Sequence, residues 1–297
     1  MNQKQHVDRP LIKFEARTAY SKNWQVILFS ILIIFAIQLI LNLLKNHFLP
    51  QLNITIPIEV MDDYDAFSAW AENFWKTYPH RWDINSGIIA ALLGLLSLII
   101  LTPLSFGFLE TCSKVLNNEQ TSIFAMFRWC TSFKKIFCSI ALTIVIGIFI
   151  FLWSILFMLP GIILYLCAFM IPNLSITSYL TLVTWGTILI FVGIFVSFIR
   201  TASYIMARCL FASDPTLGIR GALKECRKVS KGRHTEYFVL CLSFILWLIA
   251  SNLTYGIVGL YATPYFYMTT ILFIKNVKNP TEVPPDIHIP LHMPWEQ

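Results

Sequence analysis

The chain alternates between long apolar stretches and short stretches rich in charge. Four regions contain no Asp, Glu, Lys, Arg or His: 24–44, 87–109, 136–199 and 237–274. A helix needs about 20 mostly apolar residues to cross the hydrocarbon core of a bilayer. The first two regions fit one crossing each, and the fourth fits two crossings joined by a turn near 252–256. The pattern therefore predicts an all-α membrane protein.

Charge placement decides how often the third region crosses. Cytoplasmic loops of membrane proteins collect Lys and Arg, and the segments 1–23, 110–135 and 200–236 are rich in both. The loop 45–86 is acidic instead, and it holds only three of the 22 basic residues. Because both flanks of 136–199 are basic, that region must cross an even number of times, and two is the natural count.

We therefore predict one membrane domain over residues 1–278, a polytopic bundle of about six transmembrane helices in the plasma membrane with both termini cytoplasmic. The predicted spans are 24–44, 87–108, 136–159, 178–199, 237–253 and 255–274. Short amphipathic or interfacial helices are expected near 1–23, in the outer loop 45–86 from residue 62 onward, at 121–133 and at 216–234. The proline-rich tail 279–297 is expected to be extended or disordered on the cytoplasmic side.

Proline residues are expected to interrupt two of the spans. Pro160 and Gly161 predict the end of the third span, because proline removes a backbone donor and glycine adds conformational freedom. The apolar stretch 162–171 would then be an interfacial or re-entrant segment on the outer side. Pro264 predicts a kink in the sixth span. These breaks are candidate elements of a gate.

Composition narrows the function classes. The chain is 57% hydrophobic and 13% charged, whereas soluble domains carry about 25% charged residues. No Asp or Glu lies at membrane depth, which argues against coupled transporters and intramembrane aspartyl or metal enzymes. The seven cysteines form no CxxC pair, and no Cys/His cluster has the spacing of zinc ligands. We therefore expect free thiols, no metal, no cofactor and no nucleic acid.

A basic stripe is the first candidate site. The stripe consists of Arg220, Lys224, Arg227, Lys228 and Lys231. Residues three or four apart share one face of a helix, so these side chains would lie together. They are candidates for contacts with anionic lipid headgroups or with a phosphorylated ligand. The alternative is the general excess of basic residues in cytoplasmic segments.

Arg200 and Arg208 are the second candidates, after the fourth predicted span 178–199. They could pair with Glu110 or Asp214 and hold a gate. Alternatively, both could extend to the cytoplasmic headgroups, because a central Arg costs about 2.5–3.5 kcal/mol on insertion scales. The strongest polar groups inside the spans, expected to form hydrogen bonds between helices, are Gln38, Asn42 and Asn252.

Several short motifs resemble the bacterial and archaeal membrane-protein family known as domain of unknown function number 975. In chain order they are Phe14-Glu15-Ala16-Arg17 with Asn23-Trp24, Leu159-Pro160-Gly161, Ala202 to Ala207 with Ser213-Asp214-Pro215, Ser243 to Trp247, and Thr263-Pro264-Tyr265. Two departures are the transposed Ser203-Tyr204 and Leu246 in place of a glycine. The resemblance implies a six-helix membrane bundle and no particular activity.

Hypotheses from three classes follow. The first is a non-catalytic partner or accessory of a transport, export or immunity system, or a lipid-interacting scaffold, in contact with the bilayer and its anionic lipids. The alternative is a transporter or flippase for an amphipathic or lipid-like solute, since broken helices often line cavities. An enzyme is the least favoured, because Cys, Ser and Tyr near the cytoplasmic face have no neighbouring histidine in sequence. The oligomeric state is left open.

Overall fold

The computed structural model describes residues 8–49, 57, 64–77, 84–171 and 175–279. All regular structure in these ranges is helical. The α-helices are α1 (Arg9–Lys22), α2 (Trp24–Phe48), α3 (Tyr64–Thr77), α4 (Ile84–Leu116), α5 (Phe133–Met170), α6 (Ile176–Ala202), α7 (Tyr204–Ser213), α8 (Gly218–Ser230), α9 (His234–Leu242), α10 (Ile245–Leu253) and α11 (Ile257–Lys278). Two 3₁₀ helices cover Ile123–Trp129 and Pro215–Leu217. The predicted tail lies outside the described residues except for Asn279.

Six helical stretches of the described chain are long and apolar enough to cross a membrane. They are Trp24–Phe48, Asn85–Leu116, Phe133–Met170, Ile176–Ser213, His234–Leu253 and Ile257–Lys278. The predicted fold class, an all-α membrane bundle of about six spans, is therefore confirmed. The helix predicted from residue 62 onward corresponds to α3, whereas residues 62 and 63 lie outside the described residues.

One end of the bundle contains most of the buried side chains, and we call it the basic-end core. It consists of α1, the C-terminal half of α4, the 3₁₀ helix Ile123–Trp129, α7, α8 and the C-terminal half of α11. Trp129 is fully buried, with its ring 5.4 Å from Phe106 and 5.7 Å from Phe211. α1 was expected at the interface, but its Ile12 and Ala16 are buried in this core.

A helix is present in the segment 121–133, but its expected extent is wrong, because the structure has only the short 3₁₀ helix Ile123–Trp129 there. Side chains three residues apart eclipse each other in a 3₁₀ helix, so Met126 and Trp129 both enter the core. Gly107 on α4 makes the close approach possible. A Cβ at Gly107 would overlap the backbone carbonyl of Met126.

The expected break at Pro160–Gly161 is also wrong, because α5 continues without interruption to Met170. The stretch 162–171 is therefore part of a long helix rather than a separate re-entrant segment. At 1.5 Å per residue, α5 is about 57 Å long, well beyond the roughly 30 Å hydrocarbon core. A proline within a membrane helix is tolerated when neighbouring groups satisfy the freed carbonyl.

Gly161 serves close packing between α5 and α6. A Cβ at Gly161 would lie 2.6 Å from Ile190 Cγ1 and 2.7 Å from the Gly186 carbonyl oxygen. Gly193 on α6 likewise approaches the Phe157 carbonyl too closely for a Cβ. Small residues at such positions let two membrane helices pack backbone to backbone. We call this pair the α5–α6 hairpin.

Helix interruptions occur at other places. α6 gives way to α7 at Ser203, and the fifth span divides into α9 and α10 at Ser243–Phe244. The predicted turn before the last span is present, with positive φ angles of 51° at Tyr255 and 92° at Gly256. Pro264 lies buried inside α11, which runs without interruption from Ile257 to Lys278.

Candidate functional site

Arg208 lies on α7 among buried residues, including Ala207 and Cys209. Its Nη2 donates a hydrogen bond to the Ser105 hydroxyl on α4 over 3.0 Å. The guanidinium lies over the Phe106 ring, 5.3 Å from the ring centroid. Its Nε is buried and has no hydrogen-bond partner in the described part of the chain. Arg208 is therefore an incompletely satisfied positive charge near the C-terminal end of the apolar stretch Ile176–Ser213.

Arg208 lines a cavity of about 290 Å³ between α2, α4, α7, α10 and α11. The other polar side chains around this cavity include Gln38, Ser105 and Ser251. No Asp or Glu of the described residues lines it. Because its one charged lining group is a guanidinium, the cavity favours an anion or a strong hydrogen-bond acceptor.

A second, mostly apolar cavity of about 310 Å³ adjoins the first. It lies between α6, α7 and α9 to α11, and its large apolar side chains include Phe198, Phe244, Trp247 and Phe266. Both cavities share Ser251, Gly259, Thr263 and Tyr267 in their walls. The two cavities therefore lie side by side, and we call the pair the amphipathic chamber, with a guanidinium in one cavity and aromatic rings in the other.

The carboxylates proposed as partners of the arginines have other contacts. Glu110 forms ion pairs with Lys114 at 2.6 Å and Arg128 at 2.9 Å, and it accepts a hydrogen bond from the Trp129 indole. Asp214 accepts hydrogen bonds from the backbone and hydroxyl of Thr216. Neither Arg200 nor Arg208 pairs with either carboxylate, so the expected ionic gate is absent from the described structure.

Four members of the basic stripe lie on α8 and Lys231 directly follows it, but the five residues do not share one environment. Arg220, Lys224, Lys228 and Lys231 are exposed. Lys228 pairs with Glu225 at 2.6 Å, and this hydrogen bond holds the pKa of the Glu225 carboxyl below its usual range. Arg227 is also solvent-accessible but lines a separate cavity together with Arg200. The structure thus divides the stripe into an outward-facing group and one inward-reaching member.

The other residues selected from the sequence are two prolines and the seven cysteines. Pro160 is exposed on α5, and neither it nor Pro264 lines the amphipathic chamber. All seven cysteines are free thiols, as the sequence predicts. Within the described ranges, no three His, Cys, Asp or Glu side chains converge as metal ligands would.

The family of the chain follows from its match to known sequences. The family model described as "Protein of unknown function (DUF975)" matches residues 6–281, which is nearly the whole chain. The chain belongs to this family. The resemblance inferred from the short motifs is therefore confirmed. No curated protein and no solved structure matches the chain, so the site of this DUF975 protein is interpreted from its own geometry.

Sequence reasoning selected Arg208 but missed what surrounds it in this DUF975 protein. Ser105 and Phe106 are about a hundred residues away along the chain, and only the packing of α4 on α7 brings them together. One signal was available. The residues flanking Arg208 are small or apolar on every side of a helical projection, which marks α7 as a helix buried all round.

Proposed function

We propose that the protein is a non-catalytic, lipid-interacting membrane protein that holds an anionic amphiphile inside its helix bundle. It would reside in the plasma membrane with both termini cytoplasmic, as the basic segments favour. The observation that carries the proposal is Arg208, whose guanidinium has no carboxylate partner among the described residues and faces the amphipathic chamber.

The energetics of a buried charge support this proposal. A charged side chain within a span is costly, and such residues usually pair with another group or mark a ligand pathway. Arg208 has one hydroxyl acceptor and one aromatic ring, which leave several of its N–H donors unused. A ligand with an acidic headgroup would satisfy those donors. Its hydrocarbon portion would fit against Phe244, Trp247 and Phe266 in the adjoining cavity.

A dibromostearate titration of the purified protein tests the proposal, because bromine atoms quench nearby tryptophan and Trp247 lines the apolar cavity. We expect saturable quenching that is diminished in Trp247→Phe. Arg208→Gln should weaken the apparent affinity about tenfold, the value of a charge-assisted hydrogen bond. Arg220→Gln removes the same charge from an exposed position and should change nothing.

Two results would contradict the proposal. One is equal affinity for dibromostearate and its uncharged methyl ester in the wild-type protein. The other is unchanged affinity in Arg208→Gln when the variant folds normally. Arg208→Lys, which keeps a positive charge but loses the planar fork, should fall between the wild type and Arg208→Gln.

The accessory role extends this proposal to a partner. A protein that holds a lipid-like molecule without converting it would serve a membrane system such as an exporter. Purification in a mild detergent should then recover a second membrane protein together with retained lipid. Catalytic turnover that is abolished by Cys209→Ala would argue instead for an enzyme, although Cys209 is fully buried.

Transport of the same amphiphile is the second candidate function. One supporting observation is the division of the fifth span at Ser243–Phe244. Another is the position of Gly256, which lines the Arg208 cavity and also ends the turn between α10 and α11. Interrupted helices beside a cavity are typical of transporters. Reconstituted protein that moves a fluorescent lipid between leaflets would support transport, and binding without movement would favour the scaffold.

A further inference from the structure

A third cavity, of about 370 Å³, lies where the basic helix α8 meets α5, α6, α7 and α9. We call it the basic cavity. Its polar lining is formed by Arg200, Ser203, Tyr204, Arg227, Ser230 and His234, together with Trp153. It shares no lining residue with the amphipathic chamber of Arg208. It is therefore a separate site.

Aromatic contacts hold the first arginine of the basic cavity. The Arg200 guanidinium lies over the Trp153 ring, 5.5 Å from its centroid. The Trp153 indole in turn donates a hydrogen bond to the Tyr204 hydroxyl over 3.1 Å, and Tyr204 stacks on Phe149 at 5.8 Å. A guanidinium stacked on an aromatic face keeps its N–H edges available for another acceptor.

The uncharged groups of the basic cavity are held by hydrogen bonds to one another. Ser203 Oγ and His234 Nδ1 are hydrogen-bonded at 2.9 Å, which orients the histidine ring. The Cys226 thiol donates to the Ser203 carbonyl over 3.2 Å. Burial raises the pKa of the Cys226 thiol to about 12, so it stays neutral and does not offset the arginines.

No carboxylate of the described residues compensates the charge of this cavity. Neither Arg200 nor Arg227 forms an ion pair within the described chain, and no Asp or Glu lines the cavity. The nearby acids have other partners, with Glu225 paired to Lys228 and Glu236 paired to Arg233. Two guanidinium groups in one concave site repel each other, and a bound anion would remove that repulsion.

We propose that the basic cavity binds a phosphate group, presented either by a phospholipid headgroup or by a soluble phosphorylated molecule. Guanidinium groups bind phosphate oxygens in pairs of parallel hydrogen bonds. Donors from two arginines and the Tyr204 hydroxyl approach from α6, α7 and α8, which suits a group with several oxygens. A carboxylate, with two coplanar oxygens, would leave some of these donors unused.

Comparison within α8 separates this proposal from simple charge bias. Arg227 lines the basic cavity, whereas Arg220 is exposed on the same helix and lines none of the three cavities described above. If α8 only attracted a negative membrane surface, the two residues would contribute equally, each worth about fivefold in affinity. A built site instead predicts that Arg227 matters much more than Arg220.

The test is native mass spectrometry of the protein, purified in dodecyl maltoside and mixed with equal amounts of dioleoyl phosphatidic acid and dioleoyl phosphatidylcholine. We expect the wild type to retain phosphatidic acid preferentially. Arg200→Gln and Arg227→Gln should each reduce that preference about tenfold. Arg220→Gln should leave it nearly unchanged. Arg200 and Arg227 are both exposed, so both variants are expected to fold, and each tests the site independently of the other.

A further variant and a competition arm complete the design. Because the cavity of Arg208 could hold the same acidic lipid, the comparison is repeated in an Arg208→Gln background, where a preference for phosphatidic acid should remain and Arg227→Gln should still reduce it about tenfold. Displacement of the lipid by millimolar inorganic phosphate would uphold the site and assign it to soluble phosphorylated ligands. Lipid retention under the same phosphate would uphold it for headgroups.

Three results would overturn the proposal. The first is equal retention of the two lipids by the wild type. The second is an Arg220→Gln effect as large as that of Arg227→Gln, which would show charge bias alone. The third is loss of the preference in Arg208→Gln, which would place phosphate recognition in the other cavity. None of these results would bear on the binding of dibromostearate in the cavity of Arg208, which is tested separately.

Discussion

The α5–α6 hairpin presents most of its large side chains outward, whereas the basic-end core encloses its own. Phe169 near the tip of the hairpin is 74% exposed and Phe191 is 67% exposed, while Trp129 and Phe106 in the core are fully buried. The outward apolar side chains of the hairpin are suited to lipid. The basic-end core, by contrast, resembles the interior of a soluble protein in its enclosed aromatic rings.

The two regions are stabilised by different interactions. Lipid tails are as apolar as leucine, so burial of apolar side chains gives little drive for two membrane helices to associate. The hairpin instead relies on close backbone approach at Gly161 and Gly193 and on hydroxyl pairs such as Ser154–Ser197, 3.0 Å apart. The basic-end core contains the ionic and hydrogen-bonded group around Glu110.

The largest expected effect comes from removing Glu110. Its carboxylate, only 13% exposed, contacts Lys114, Arg128 and the fully buried Trp129 indole. Glu110→Ala should lower the free energy of unfolding by about 3 kcal/mol, because it leaves a half-buried charge and an indole N–H without a partner. Unfolding by dodecyl sulfate in mixed micelles measures the change.

The matched control for Glu110 is Glu72 on α3, which pairs with Lys76 at 2.7 Å but is 68% exposed. Exposed ion pairs of this type contribute about 0.3–0.5 kcal/mol. Glu72→Ala should therefore have almost no effect. Similar losses in both variants would show that the basic-end core does not depend on its carboxylate, and the contrast between the regions would fail.

An intermediate effect is expected from a methyl group placed between the two helices of the hairpin. Gly161→Ala puts a Cβ within 2.7 Å of the Gly186 backbone carbonyl oxygen, so the helices must separate. Overpacking of this kind costs about 1–3 kcal/mol. Gly147→Ala on the same helix meets nothing within 4 Å and should be neutral or slightly stabilising, since alanine favours helix.

The same unfolding assay measures the hairpin variants. If Gly161→Ala and Gly147→Ala behaved alike, close backbone contact would not hold the hairpin together. A second consequence concerns the basic cavity, whose wall includes Trp153 on α5 and Arg200 on α6. Separation of the helices in Gly161→Ala should therefore also weaken phosphatidic acid retention, while Gly147→Ala should leave it intact.

The same contrast explains what could be predicted from sequence. Apolar length and charge placement determine which segments cross, because membrane insertion depends on composition along a single helix. The six spans were therefore predictable. The fate of Pro160–Gly161 was not, since a glycine can end a helix or admit a neighbour. Only the facing carbonyl of Gly186, on a helix that comes later in the chain, decides between them.

The residues of the candidate sites could be predicted from the sequence, but their surroundings could not. Arg200 and Arg208 could be selected because they lie at the end of an apolar stretch, and Arg227 because it belongs to the basic stripe. Their surroundings depend on tertiary packing, which brings Trp153 to Arg200 and Ser105 to Arg208. Glu110 was named as a possible partner of the arginines, but its carboxylate instead contacts Lys114, Arg128 and the buried Trp129 indole.

The smallest expected effect tests whether hydroxyl pairs hold the hairpin. The Tyr165 and Thr187 hydroxyls are 2.7 Å apart between α5 and α6, whereas Thr184, one turn earlier on α6, bonds only to the Leu180 carbonyl of its own helix. Thr187→Val should cost about 0.6 kcal/mol, the average for such bonds between membrane helices. Thr184→Val should cost less. Equal losses would mean that hydroxyls stabilise each helix separately, and that the glycine contacts alone join the pair.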